Sequence, residues 1–241
     1  MIPNCQLITS MGVQFLLFKG NDLVSNALRN GGYENDLHAL SEGLLRDKKD
    51  GVVLDIGANL GSYCIPLAKK HPHIKFHAYE PQRIVNYQLG ANVIINGLEN
   101  VYTYEAGLSS QETDIELEVP DYATEGNIGA FSIDKEVREN EYECQTTGGK
   151  EKMILMTLDS IGFENVRLLK IDVEGHELEV LKGGIETLKA NNYPPIIFEA
   201  WTWKPWYQEK RTALFDYLKG HGYNIIELGQ NNIARHPKHG S

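Results

Sequence analysis

The sequence predicts an α/β protein built on a mainly parallel sheet with helices on both faces. Three observations lead there. Short apolar runs alternate with segments of helical periodicity along most of the 241 residues, which is the pattern of repeated strand-helix-strand units. The run "VVLDI" passes directly into the glycine turn "GANLG" and then into a helical pattern, as where a buried strand feeds a helix beside a ligand. No internal repeat or low-complexity tract interrupts the alternation, so residues 1–241 read as one domain.

The elements follow in order. Within residues 12–46, Val13–Phe18 is a six-residue apolar run with no basic residue before it and no small-residue cleavage site. It falls far short of the roughly 20 apolar residues of a membrane span and reads as a strand. Tyr33, Leu37, Leu40 and Leu44 recur at helical spacing, with Asn35 and Asp36 as caps, and predict a helix. The core, residues 52–201, opens with a strand at Val52–Ile56 and a helix over residues 62–70 that tolerates Pro66 near its first turn. A second strand at Lys75–Tyr79 and a helix over residues 86–98 come next. Residues 101–109, 166–173 and 194–201 supply the third, fourth and fifth strands, the last two joined by a helix over residues 177–190. Leu178, Leu181, Ile185 and Leu188 would form its apolar face.

Residues 111–156 break the alternation. Strand-like pieces there flank a polar stretch without period, which reads as an inserted, lid-like segment; "DKEVRENEYE" within it is a solvated face. A helix near residues 212–219 precedes "YNIIEL" and "NNIARH", whose turn-prone link "GQNN" predicts an antiparallel hairpin over residues 222–236 at the sheet edge.

Composition narrows the partners. Acidic residues outnumber basic ones 33 to 23, for a net charge of −10, and no basic cluster stands out, so nucleic acid and membrane are not expected partners. The three cysteines, Cys5, Cys64 and Cys144, lie far apart with no CxxC pair, which argues against a disulfide framework or zinc site and for a reducing, cytoplasmic location.

In a parallel sheet the ligand lies beyond the carboxyl ends of the strands. The turn after Val52–Ile56 has Gly57 and Gly61, but Asn59 and Ser62 stand where a dinucleotide fingerprint needs glycine, and Ser62-Tyr63 replaces the Lys-Ser/Thr of a P-loop. Asp55 beside the turn would repel a pyrophosphate and attract an ammonium or sulfonium. Glu80 ends the second strand in the position of a ribose-binding carboxylate. A nucleoside joined to a cationic amino acid satisfies both, and S-adenosylmethionine is such a molecule. The ordered set "LDIGANLG", "YEP", "ANVIINGL", "LLKIDVEGHELEVLKGG" and "PPIIFE" resembles the FkbM family of S-adenosylmethionine-dependent methyltransferases over roughly residues 33–201. Its most specific part is "KIDVEGHELEVLKG".

The resemblance implies a class I methyltransferase (Rossmann-like) fold of seven strands, with the last inserted antiparallel. It implies that Asp55, Gly57, Ala58, Asn59 and Gly61 line the amino-acid end of the cofactor, that Glu80 holds the ribose, and that Pro81, Gln82, Ala106 and Gly107 lie toward the adenine. The transferred methyl would face the ends of the fourth and fifth strands, where Asp172, Glu174, His176 and Glu199 become the candidates for the chemistry. His176, at a helix start near the sulfonium, is expected to stay neutral and able to take a proton. Asp172 is expected to act on the acceptor while bordering the cofactor, and Glu177 to serve only as a favourable charge at the helix start. Asp172, Glu174 and Glu199 would be able to share a divalent cation, but no metal ligand is assigned.

"EAWTWKPWY" places Trp201, Trp203 and Trp206 after the fifth strand, an apolar platform suited to the face of a sugar. The expected activity is therefore O-methylation of a hydroxyl on a sugar, glycan or glycosylated metabolite, ahead of a macrolide or other small molecule. A non-catalytic nucleotide- or glycan-binding module is the alternative of another class, opposed by the carboxylates at both ends of the cofactor site. A nicotinamide oxidoreductase is disfavoured by the missing fingerprint.

Overall fold

The structure, a computed structural model, describes residues 4–20, 22–122, 128–141 and 146–239; Cys144 lies outside them. β1 (Cys5–Ser10) and β2 (Val13–Phe18) form an antiparallel hairpin, followed by α1 (Leu23–Arg29) and α2 (Asn35–Leu45). β3 (Val52–Ile56), α3 (Cys64–Lys70), β4 (Lys75–Tyr79), α4 (Arg83–Ile95) and β5 (Val101–Tyr104) then alternate. A departure from the main sheet contains β6 (Gly107–Leu108), β7 (Thr113–Pro120), α5 (Lys135–Glu141), β8 (Thr146–Met156) and α6 (Leu158–Ile161). The alternation resumes with β9 (Val166–Ile171), α7 (Glu177–Lys182), α8 (Ile185–Ala190) and β10 (Ile196–Glu199). α9 (Gln208–Gly220), β11 (Asn224–Leu228) and β12 (Asn231–Arg235) complete the chain.

The seven-stranded sheet runs β11-β12-β10-β9-β3-β4-β5. Its parallel part, β10-β9-β3-β4-β5, meets β12 antiparallel, and β12 sits between β10 and β11. The predicted C-terminal hairpin is thus the inserted last strand with its edge partner. All five residues of β3 are buried, as expected of a central strand covered on both faces. Val52, Leu54 and Ile56 join the core under α7, α8 and α9, whereas Val53 joins the core under α2, α3 and α4. Burying each such aliphatic side chain stabilises the fold by about 1.5–3 kcal/mol.

Four features differ from the sequence expectations, each for a physical reason. β1 went unpredicted because "CQLITS" has no apolar alternation and stays mostly exposed. The hairpin is secured from β2, where Asn92 Oδ1 accepts from the Leu16 N–H at 2.6 Å and Gln88 Nε2 donates to the Leu16 carbonyl at 2.8 Å. The predicted third strand divides, because Gly107–Leu108 leaves the main sheet to pair with β8 in a separate sheet of order β6-β8-β7. The helix expected over residues 177–190 breaks at Gly183, where any Cβ would collide with the Ser109 carbonyl. The lid-like insertion is largely a β7-β8 antiparallel ladder, with residues 128–133 crossing back toward the main sheet. Among the described residues no helix is long and apolar enough to cross a membrane.

Candidate functional site

The turn after β3 is fixed by backbone. The N–H groups of Gly57 and Ala58 both donate to the Tyr79 carbonyl, at 3.0 and 2.9 Å, and so open β3 away from β4. Gly57 has φ +81°, and a Cβ there would collide with the Asp172 carbonyl; only glycine lets the post-β3 and post-β9 turns approach this closely. Asn59, also left-handed at φ 50°, donates its N–H to one oxygen of Glu80 at 3.1 Å, while Gln82 donates its N–H to the other at 2.9 Å. Glu80 is buried. Burial pushes its carboxyl up to about 7, against the pull of those two N–H groups.

These turns border a cleft at the carboxyl ends of β3, β4 and β9. Gly57, Ala58, Asn59, Glu80, Pro81, Gln82, Gly107, Asp172 and Glu174 all line it. Gly129, Phe131 and Ile133 from the insertion close one wall, and Leu23, Val24 and Tyr33 close another. The insertion is tied down at Gln82, whose Oε1 accepts from the Tyr122 hydroxyl at 3.2 Å and whose Nε2 donates to the Ile128 carbonyl at 3.4 Å. Asp55, Gly61 and Ala106 are not among the lining residues. Asp55 is fully buried in β3, beneath the turn.

Lys170, which itself lines the cleft, organises the charges at its floor. Its ammonium lies 3.1 Å from Asp172, 3.7 Å from Asp55 and 3.3 Å from the Gly57 carbonyl, to which it donates. Burial disfavours this ammonium, but Asp172, Asp55 and Glu34 outweigh burial and hold its pKa well above the ordinary value. Neither Asp55 oxygen makes a well-formed hydrogen bond; burial raises its carboxyl while Lys170 opposes the shift.

Asp172, Glu174 and Glu199 converge, each offering an oxygen within 4.8 Å of the others. That spacing would admit a divalent cation. Burial first, and then the neighbouring Asp172, raises both Glu174 and Glu199 well above the usual carboxylate range. Glu174 also holds a left-handed backbone, φ 53°, a strain that surrounding structure must impose. Two contacts impose it: Ser132 Oγ donates to the Glu174 carbonyl at 2.7 Å, and Glu177 accepts from the N–H groups of Val173 at 3.2 Å and Gly175 at 3.0 Å. Glu177 is therefore buried and shapes the loop after β9, a larger role than a favourable charge at a helix start.

His176 faces away from this cluster. Its Nε2 shares a 2.9 Å hydrogen bond with Ser109 Oγ and its Nδ1 lies 3.9 Å from Asp134; it is not a lining residue of the cleft. None of the three tryptophans lines the cleft either. Trp201 is buried, donates Nε1–H to Glu199 at 2.9 Å and carries the Lys204 ammonium over its ring at 3.8 Å. It positions an acid, while Trp203 is 57% exposed.

Sequence reasoning missed Lys170 and Glu34. Lys170 was detectable, because residues i and i+2 of a strand share a face, which puts it beside Asp172. Glu34 reaches Lys170 and Asp172 from ahead of α2, and burial raises it to about 7; nothing in its local sequence signals that meeting.

A family model described as the methyltransferase FkbM domain matches residues 55–225. Among curated proteins, the chain is 32% identical to the hexuronic acid methyltransferase AglP of Haloferax volcanii over 147 residues, covering 61% of this chain and 55% of that protein. It is 25% identical to the 2-O-methyltransferase NoeI of Sinorhizobium fredii over 158 residues, 62% of this chain and 63% of that one. It is 29% identical to methyltransferase sdnD of Sordaria araneosa over 153 residues, 54% and 59%. The chain thus spans between 55% and 63% of the length of these relatives. Among solved structures, a Staphylococcus aureus protein provisionally described as a caffeoyl-CoA O-methyltransferase superposes with a TM-score of 0.51 at 10% identity, covering 84% of this chain and 83% of that one. The shared fold is that of the class I methyltransferases.

Proposed function

Because the chain belongs to the FkbM methyltransferase domain family, we propose that it is an S-adenosylmethionine-dependent O-methyltransferase whose acceptor is a hydroxyl of a sugar, a glycan or a glycosylated metabolite. The observation that carries the cofactor is Glu80. Its carboxylate is fixed by two backbone N–H groups and retains lone pairs able to accept both hydroxyls of a ribose. Gly57, whose missing Cβ lets the turn close against the Asp172 carbonyl, lines the cleft beside it. Asp172 and Glu174 make the adjoining wall acidic, which suits the positive end of the cofactor and not a pyrophosphate.

Held beside Glu80 and the Gly57 turn, S-adenosylmethionine would supply an electrophilic methyl group, with its sulfur as the leaving group. The protein's own residues hold the acceptor and take its proton. Asp172, ion-paired to Lys170, is assigned the proton. Glu174 and Glu199, whose carboxyls burial and then Asp172 raise, stand beside Asp172, where they can hydrogen-bond acceptor oxygens. Lys170 already supplies positive charge beside Asp172, so no metal is given a role. Residues 129–133 of the insertion exclude water from the cleft wall. For the acceptor, support comes from AglP and NoeI, whose names specify a hexuronic acid and a 2-O position. Exposed Trp203 is offered as a platform for the sugar face.

Titration calorimetry tests the cofactor: saturable binding of S-adenosylhomocysteine with none of NAD is expected. The reverse preference would refute the assignment.

A further inference from the structure

Three groups from separate parts of the sheet meet at one buried ammonium. Asp55 comes from the middle strand β3, the Gly57 carbonyl from the turn that follows it, and Asp172 from the end of β9. Lys170 reaches all three with a side chain only 7% exposed, and the Tyr63 ring packs 5.8 Å from its Nζ. The ammonium donates to Asp172 and to the Gly57 carbonyl, while Asp55, 3.7 Å away, faces it as an unbonded counter-charge. The same contacts cross the seam between β3 and β9, where Gly57 meets the Asp172 carbonyl.

We propose that Lys170 is a positioning residue: by bonding Asp172 and the Gly57 carbonyl at once, it fixes the proton-accepting carboxylate relative to the turn that carries the cofactor. The inference rests on the methyltransferase reading above. Without Lys170, the Asp172 carboxylate has no bonded cation and is free to rotate toward solvent or toward the neighbouring Glu174 and Glu199. The acceptor hydroxyl would then lose its aligned base while the cofactor kept Glu80. In the balanced reaction the hydroxyl proton passes to Asp172, and the methyl carbon exchanges its bond to sulfur for a bond to the acceptor oxygen. Lys170 gains and loses nothing. It acts only through the placement of Asp172. Asp55, fully buried beneath, serves as the counter-charge that keeps the ammonium in place.

The test compares Lys170→Met, Lys170→Arg and the double variant Asp55→Asn/Lys170→Met with the wild type, using a methylatable saccharide and following S-adenosylhomocysteine release. Lys170→Met should lower kcat by about 100-fold, the scale of a displacement near 1 Å at a reacting group. Its affinity for S-adenosylhomocysteine should stay within about fivefold, the allowance for one lost bond to the Gly57 carbonyl. Lys170→Arg, which keeps a cation able to bond Asp172, should recover most of that loss. The double variant removes both buried charges, so it remains foldable if the single variant does not, and it should show the same loss of kcat. Wild-type kcat in Lys170→Met or in the double variant would overturn the proposal. So would a loss of turnover that merely follows lost cofactor affinity, or an arginine variant as slow as the methionine one. A wild-type protein that releases no S-adenosylhomocysteine with any acceptor would instead overturn the methyltransferase reading on which the proposal stands.

Discussion

Replacing Glu80 by alanine should separate cofactor recognition from folding. In the folded protein its two oxygens accept from Asn59 at 3.1 Å and Gln82 at 2.9 Å, and the proposed ribose hydroxyls would add two more donors. Hydrogen bonds to a charged group contribute about 1.5–3 kcal/mol, so the affinity for S-adenosylhomocysteine should fall on the order of 10- to 100-fold. The variant also leaves two backbone N–H groups without their acceptor, at about 1–3 kcal/mol each where they stay buried, so its Tm should fall as well. Glu80→Gln retains an acceptor oxygen and should lie between alanine and wild type on both measures. Burial holds Glu80 near 7, so wild-type affinity should strengthen as pH rises from about 6 to 8 and the carboxylate becomes the prevailing form, a dependence that Glu80→Gln should lack. Titration calorimetry across that range is the assay. Affinity within about twofold of wild type in both variants would remove Glu80 from the cofactor site.

Further outcomes follow from the same geometry. Asp172→Asn should cut turnover by about 10²- to 10⁴-fold, whereas His176→Ala, which loses one bond to Ser109 outside the cleft, should cost less than about tenfold; steady-state kinetics with a saccharide acceptor decides between them. Gly57→Ala must place a Cβ against the Asp172 carbonyl at φ +81°, so a thermal melt should show a loss beyond the roughly 1–3 kcal/mol of backbone strain alone, with cofactor binding abolished. Buried Trp201→Ala should destabilise by about 3–5 kcal/mol, while Trp203→Ala should leave Tm unchanged and raise acceptor KM. The ligand-free protein should lose stability as pH rises from 6.5 to about 8. Glu34, Glu80 and Glu177 are each raised by burial from 4.5 to about 7, so the folded state keeps protons that the unfolded chain has released. Their contribution is present at low pH and is lost through about 7. His38 and His77, lowered by burial to about 4, act in the opposite sense only below their ordinary 6.5, so above it the carboxyls govern. A Tm that climbs over the upper range would contradict this.

The parts of the fold that local pattern governs were legible in the sequence. β3 and β4 have the predicted ends: β3 is buried along its whole length and bounded by Gly51 and Gly57, and β4 runs from an exposed Lys75 to a buried Tyr79, so neither offers a competing helical period. The glycine turn and Glu80 were legible for the same reason, since both sit at strand ends fixed by neighbouring residues. What escaped was set by tertiary contact. The break at Gly183 depends on Ser109, distant in sequence. Exposed β1 is held through β2 by amides of α4. His176 was expected at the chemistry because it follows "DVEG", but the turn that Glu177 tightens sends it toward Ser109 and Asp134. The tryptophan cluster divides in the same way, with Trp201 turned inward by Glu199 and Trp203 left in solvent.

The central claim is methyl transfer from S-adenosylmethionine to a sugar hydroxyl. Its most direct measurement is mass spectrometry after incubating the protein with methyl-labelled cofactor and a competing panel of saccharides, macrolides, phenols, RNA and protein. The account predicts a single labelled methyl on a saccharide oxygen, matched by stoichiometric S-adenosylhomocysteine and absent with Asp172→Asn. Label on RNA or protein with none on any saccharide, or transfer undiminished in Asp172→Asn, would contradict it.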